Sequence, residues 1–216
     1  MSHGSTERAG LQPAPEGLAL VQDLLNTRAI GPHGSDLLAS VDLARRWLHE
    51  VLDARLVELG TPDSGAIDPG AAELSWVDEL SDPDLRVLLE LRSDLQRLVS
   101  GAGAPDTGPA LVRTAMAVGP TGELALHPAG RALGWFVSAV WVQVYLAQQA
   151  GTWRRLKLCH NPPCGSAFYD RSKNNSGVWH DVRVCGNAVN LRASRARRRA
   201  LAGSSTMDAA SVSAEG

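Results

Sequence analysis

Three cysteines and one histidine are the residues of this chain whose types and spacing could do chemistry. Cys159, Cys164, His180 and Cys185 follow the pattern C-x4-C-x15-H-x4-C. Three thiolates and an imidazole make a donor set that tetrahedral zinc accepts in closed structural sites. Thiolate sulfur also selects against magnesium and calcium. With all four positions filled by protein, no position is left for a reactive water. The expected metal, one structural zinc, therefore holds a fold together and does not catalyse. Pro162 and Pro163 lie between the first two cysteines and suit a stiff knuckle that pinches two ligands together.

Two other readings of the cysteines stand beside this one. They could be buried apolar thiols, or they could form a disulfide. Against the disulfide, the cysteine count is odd and neither end carries a secretory pattern, so a reducing cytoplasm is expected. His160 adjoins Cys159, but neighbouring residues rarely both bind one metal without strain, so His180 is preferred as the fourth ligand.

The same stretch concentrates positive charge. Residues 154–199 hold 11 of the 21 Lys and Arg against two acids, a charge of +9, whereas residues 1–152 carry 10 Arg against 19 Asp and Glu, or −9. The near-neutral total of −2 hides two oppositely charged parts, the pattern of a nucleic-acid-binding end. A helix is expected from Ala188 to about Ala200. On it Arg192, Arg195 and Arg199 form one stripe, flanked by Arg197 and Arg198. Five arginines in eight residues without an acid repel one another, which favours a polyanionic partner met through phosphate contacts. Arg171, Lys173 and Arg183, in the loops before this helix, are further candidates for backbone contacts.

Stepping upstream, the elements that must position this end read as mainly helical. Leu18 to Arg28 has helical apolar spacing, and Ser35 or Asp36 could cap a helix reaching about Leu59. Residues 60–70 are turn-rich, and another short helix is expected over 71–80. Ser81 or Asp82 followed by Pro83 starts a helix that stops at Ser100 and Gly101. Residues 111–118 and 124–127 flank a Gly-Pro-Thr-Gly turn and read as a hairpin. Residues 130–149 form an apolar helix whose Trp135, Phe136, Trp141 and Tyr145 either pack a core or line a ligand cavity. No run of about 18 apolar residues is present to span a membrane. The fold class expected is mainly α with a small β-hairpin: a helical domain over 15–150 and a treble-clef-like zinc finger over 154–200. A short hairpin around Phe168-Tyr169 and Val178-Trp179 is expected inside the finger. Residues 1–14 and 203–216 are small and polar and read as disordered. No Ser-His-Asp or paired-carboxylate arrangement emerges, so no enzyme is expected.

The run Phe168-Tyr169-Asp170-Arg171-Ser172, the later Trp179, and Cys185-Gly186-Asn187 before an Arg-rich helix resemble the CGNR zinc finger. Leu18-Ala19-Leu20, the cluster Asn26-Thr27-Arg28 and the helix carrying Trp47 are similar to the ABATE domain that usually precedes it in bacterial proteins. Those proteins are described as stress-induced transcription regulators. The resemblance implies metal ligands at Cys159, Cys164, His180 and Cys185. It also implies DNA binding in the cytoplasm at the nucleoid, and an N-terminal domain that senses an effector or forms a homodimer. Two departures stand out: His180 replaces a usual cysteine, and Ala188 replaces the arginine that usually follows C-G-N. Asn26, Thr27 and Arg28 are the candidate effector ligands. The alternative function is a finger that binds RNA or an acidic protein surface.

Overall fold

Helix α2 (Leu18–Leu25) is the axis of the structure, because all eight of its residues are buried. A helix that is apolar nearly all round must be surrounded, and α2 touches α1 (Ser5–Arg8), α3 (Val41–Arg55), α5 (Asp82–Ser100), α6 (Ala132–Gln149) and strand β4 (Ala167–Tyr169). The computed structural model describes residues 4–30, 34–55, 74–103 and 111–212, with side chains up to Arg199.

The helices begin and end where their chemistry dictates. Helix α5 opens on a capping box in which Ser81 and Asp84 satisfy each other's backbone, with Pro83 in the first turn, and it closes on Gly101 at φ 74°. Helix α3 starts at Val41, with Ser40 Oγ accepting from Leu43 N at 3.3 Å. The cap expected from Ser35 or Asp36 is thus displaced. Asp36 instead accepts from Leu38 N at 2.8 Å and holds Arg92 in a fork at 2.8 and 2.9 Å. The expected end at Leu59 and the connection 60–70 lie outside the described residues. The short helix expected in 71–80 is α4 (Ser75–Asp78).

Trp47 on α3 meets Phe136 on α6 edge to face at 5.9 Å, both essentially sealed from water. Trp135 is buried as well, Trp141 is partly buried against the same core, and Tyr145 is about half exposed. Core packing therefore accounts for the first two aromatics. Strands β1 (Thr114–Val118) and β2 (Leu124–Pro128) pair antiparallel with Met116 opposite Leu126. Strand β1 begins three residues later than the apolar run suggests, and Leu111 is 99% exposed. Ser138 on α6 ties the hairpin down, donating to Arg113 O and accepting from Ala129 N.

The second small sheet pairs β3 (Leu156–Leu158) with β4, Leu156 opposite Tyr169. The finger's hairpin therefore uses 156–158 and not Val178-Trp179 as the partner of Phe168-Tyr169. The knuckle between Cys159 and Cys164 is itself the hairpin's turn, which brings the flanking segments together first. Only His160 N reaches Val178 O, at 3.0 Å. Helix α7 (Asn187–Val212) runs from the last cysteine onward, longer than expected and through residues 203–212. At the other end, residues 4–14 are not loose. Thr6 N donates to Asp23 Oδ1 at 2.9 Å, Ala14 N to Gln22 Oε1 at 2.6 Å, and Ser5, Thr6, Ala9 and Ala14 are buried. No helix among the described residues is long and apolar enough to cross a membrane.

Candidate metal centre

The knuckle is built by backbone hydrogen bonds. Asn161 O accepts from Cys164 N at 2.8 Å and from Gly165 N at 3.1 Å, and Cys159 N donates to Ser166 O at 2.8 Å. Gly165 sits at φ +60°, and a Cβ there would stand 2.6 Å from Arg28 Nη1. The turn thus needs glycine for its left-handed conformation and for the guanidinium that lies against it. A π-helical turn, Val182–Gly186, delivers Cys185, with Asp181 Oδ1 accepting from Arg183 N and Val184 N at its start.

These elements bring Cys159, Cys164, His180 and Cys185 together, with their ligand atoms all within 4.8 Å of one another. His160 is exposed and outside the group. The three cysteines are 2–8% exposed and form no disulfide. His180 turns Nδ1 toward them, 3.3 Å from Cys164 Sγ and 3.7 Å from Cys185 Sγ. Tetrahedral zinc with sulfur near 2.3 Å and nitrogen near 2.0–2.1 Å would place S and N about 3.6 Å apart, so both spacings match edges of that tetrahedron. Burial pushes the Cys185 thiol up to about 12; the hydrogen bond from Asn161 works the other way, and the Cys159 and Cys164 sulfurs push it further up. The Cys185 thiol so placed stays protonated on its own, and a dication reverses that balance. The donor set, spacing and burial fit one structural zinc.

Outside the four donors, Asn161 Nδ2 donates to Cys185 Sγ at 3.1 Å, and Ser166 Oγ lies 2.9 Å from Cys164 Sγ. Asn161 had a signal in its position between two cysteines, but nothing in the pattern said which way its amide points. The loop 170–177 is organised by Asp170, whose carboxylate accepts from Lys157 Nζ at 2.7 Å, Gly177 N at 2.7 Å and Ser172 N at 2.9 Å. Burial opposes its ionisation, but Lys157 and these N–H donors outweigh it and hold the carboxyl far below the usual carboxylate range.

The cluster Asn26-Thr27-Arg28 is where the finger docks. Asn26 Oδ1 accepts from Ala167 N at 2.8 Å, while Asn26 Nδ2 donates to Ala167 O at 3.0 Å and to Thr6 Oγ1 at 3.2 Å. Gln22 Nε2 adds a bond to Ala167 O at 3.1 Å. Thr27 Oγ1 donates to Leu24 O and accepts from Arg92 Nη1. The hydrogen bonds of Asn26 and Thr27 thus go to the chain itself, and Arg28 covers the knuckle. Ile30 and Ala9 share one apolar cluster with all three cysteines and Phe168. Beside it, a cleft of about 510 Å³ opens between residues 9–12 and Phe168, Tyr169 and Trp179, and none of Asn26, Thr27 and Arg28 lines it.

The candidate DNA-contacting residues divide. Arg195, Arg197, Arg198 and Arg199 are exposed on α7, and so are Lys173 and Arg183. Arg171 is exposed too, but it donates to Pro13 O at 2.7 Å and lies over Tyr169. Arg192 is exposed as well, but it is hydrogen-bonded to Asn161.

Two protein-family models match the chain. Residues 155–198 match the CGNR zinc finger, and residues 18–152 match ABATE, described as "Putative stress-induced transcription regulator". No curated protein matches it.

Proposed function

The chain belongs to the ABATE family and carries a CGNR zinc finger, and from that premise we propose that it regulates transcription in the cytoplasm by binding duplex DNA through helix α7. The observation that carries this reading is the exposed arginine face of α7, held at a fixed place by the metal knuckle. At 100° per residue, Arg195, Arg198 and Arg199 fall within one arc of about 100°. Among the described residues none of the three has a hydrogen bond or ion pair with the rest of the chain. Unpaired guanidinium groups on a helix face gain most from phosphate oxygens, which they meet with charge-assisted hydrogen bonds. No catalytic arrangement enters this reading. An effector, in the same proposal, occupies the cleft between residues 9–12 and the finger, whose volume is in the range of ligand sites, and a homodimer would present two such helices to one duplex.

In this reading, bound zinc supplies the cross-link that folds the finger. The chain's own residues do the rest. Asn26 and Gln22 fix β4, Asp170 and Lys157 fix the loop behind it, and α7 projects the cations. The test is a titration of the zinc-loaded chain against duplex DNA and single-stranded RNA at several salt concentrations. Duplex binding whose logarithm falls linearly with the logarithm of salt supports the proposal. Preference for RNA overturns it in favour of RNA, and no salt-dependent binding to either overturns it and leaves an acidic protein surface as the partner.

A further inference from the structure

Arg192 stands on the face of α7 that the proposed function aims at phosphate and is exposed like its neighbours, yet one end of its guanidinium is tied to the knuckle. Its Nη2 donates to Asn161 Oδ1 across 31 residues of sequence. The same amide donates through Nδ2 to Cys185 Sγ at 3.1 Å. Asn161 is 8% exposed and Cys185 2%. The direction of this chain of bonds follows from what each group can do. A guanidinium only donates and a thiolate only accepts, so a carboxamide, which does one of each, can bridge them in a single orientation.

We propose that Arg192 is a positioning residue of the metal centre and not a phosphate contact. By holding Asn161 Oδ1 it keeps Nδ2 on Cys185, and it fastens the second turn of α7 to the knuckle. Without the guanidinium the amide can turn over and set Oδ1 against the sulfur, acceptor against acceptor. Three thiolates, one neutral imidazole and a dication sum to a single negative charge. An N–H at one sulfur with a cation behind it offsets that charge. The direction in which the other arginines point is thereby tied to the metal site. The part of this proposal that concerns DNA rests on the function proposed above; the part that concerns the metal does not.

The experiment uses the full chain with cobalt(II) as the probe, in wild type, Arg192→Ala, Arg192→Lys, Asn161→Ala, the Arg192→Ala/Asn161→Ala double variant, and Arg195→Ala. Groups that orient metal ligands typically cost about 10–100-fold in metal affinity when removed. Arg192→Ala and Asn161→Ala should each lose that much and move the thiolate-to-cobalt charge-transfer band in the same direction. The double variant should lose no more than either single one, because one chain of bonds is broken in all three. Arg192→Lys keeps a donor without the planar fork and should fall between wild type and alanine. Where the alanine variant fails to fold, the lysine variant decides, and wild-type affinity and band in it overturn the proposal. In metal-saturated protein, Arg192→Ala should keep the wild-type salt slope on duplex DNA, while Arg195→Ala lowers it by about 0.9. Wild-type cobalt affinity in Arg192→Ala, or a slope loss equal to that of Arg195→Ala, overturns it. Absence of any DNA binding would defeat the proposed function alone, since the cobalt comparison still decides the role of Arg192.

Discussion

Replacing Asn26 tests how the finger is held to the rest of the protein. In Asn26→Leu the side chain keeps its approximate volume and loses its polar atoms. Ala167 O retains Gln22 Nε2 at 3.1 Å, so the donor left without a partner is Ala167 N, inside a residue with 0% exposure, while the buried Thr6 hydroxyl loses the bond it accepts from Asn26. One orphaned buried donor costs about 1–3 kcal/mol. Taking about 2 kcal/mol, the docked state loses roughly 30-fold in population. Asn26→Asp is the sharper variant. It still accepts from Ala167 N, but it sets a second carboxylate oxygen against Ala167 O, 3.0 Å away in the native pair, and buries a charge. An unpaired buried charge costs about 3–5 kcal/mol. Such a carboxyl takes up a proton in the folded state at a pH above the usual value near 3.9. The folded state then binds more protons than the unfolded one, so the defect relative to wild type shrinks as pH falls from 7 towards 5. A protonated carboxyl also restores the donor to Ala167 O. Urea unfolding followed by tryptophan fluorescence, with hydrogen exchange at residues 165–169, reads both variants. If Asn26→Asp matches wild type at pH 7, or its defect does not change with pH, Asn26 does not hold the finger.

Three further outcomes follow from the same structure. Removing zinc with a chelator should expose residues 156–199 to hydrogen exchange and loosen 4–14 as well, because Ala9 and Ile30 share the apolar cluster with the cysteines; α3, α5 and α6 should keep their protection. Asp170→Asn should destabilise the finger by about 2–3 kcal/mol at neutral pH in chemical unfolding, since Lys157 loses the charge it faces while remaining partly in water. Asp170 ionises more readily when folded, so its contribution is complete above about pH 4 and is lost below it, and the gap between wild type and variant should close there. Ala188→Arg places a cation on the arc shared by Arg195 and Arg199 and should steepen the salt slope on duplex DNA by about 0.9, read by titration.

The ligand set was legible because a metal demands its donors at short range, and C-x4-C-x15-H-x4-C states them in the chain itself. Helix α5 was legible for a related reason: Ser81, Pro83 and Gly101 are local signals that act within one turn. What the sequence did not show is set by contacts between distant residues. The partner of Phe168-Tyr169 is Leu156–Leu158, and no local rule ranks that segment above Val178-Trp179. Residues 4–14 have the composition of a loose tail, yet Asp23 and Gln22 bind their backbone from a buried helix and Asn26, at its end, binds the Thr6 hydroxyl. The Asn26-Thr27-Arg28 cluster was visible as an oddity beside an apolar run, but polar groups at a helix end look the same whether they meet a ligand or a strand. Arg192 was indistinguishable from its neighbours by spacing, and the bond to Asn161 separates it from them.

Hydrogen exchange of the zinc-loaded chain with and without duplex DNA tests the central claim most directly, because it locates the nucleic acid on the protein. The account predicts added protection over residues 187–199 and in the loops around Lys173 and Arg183, with the hairpin 114–128 unchanged. Protection confined to the N-terminal helices or to that hairpin, with 187–199 exchanging as in the free protein, would contradict it.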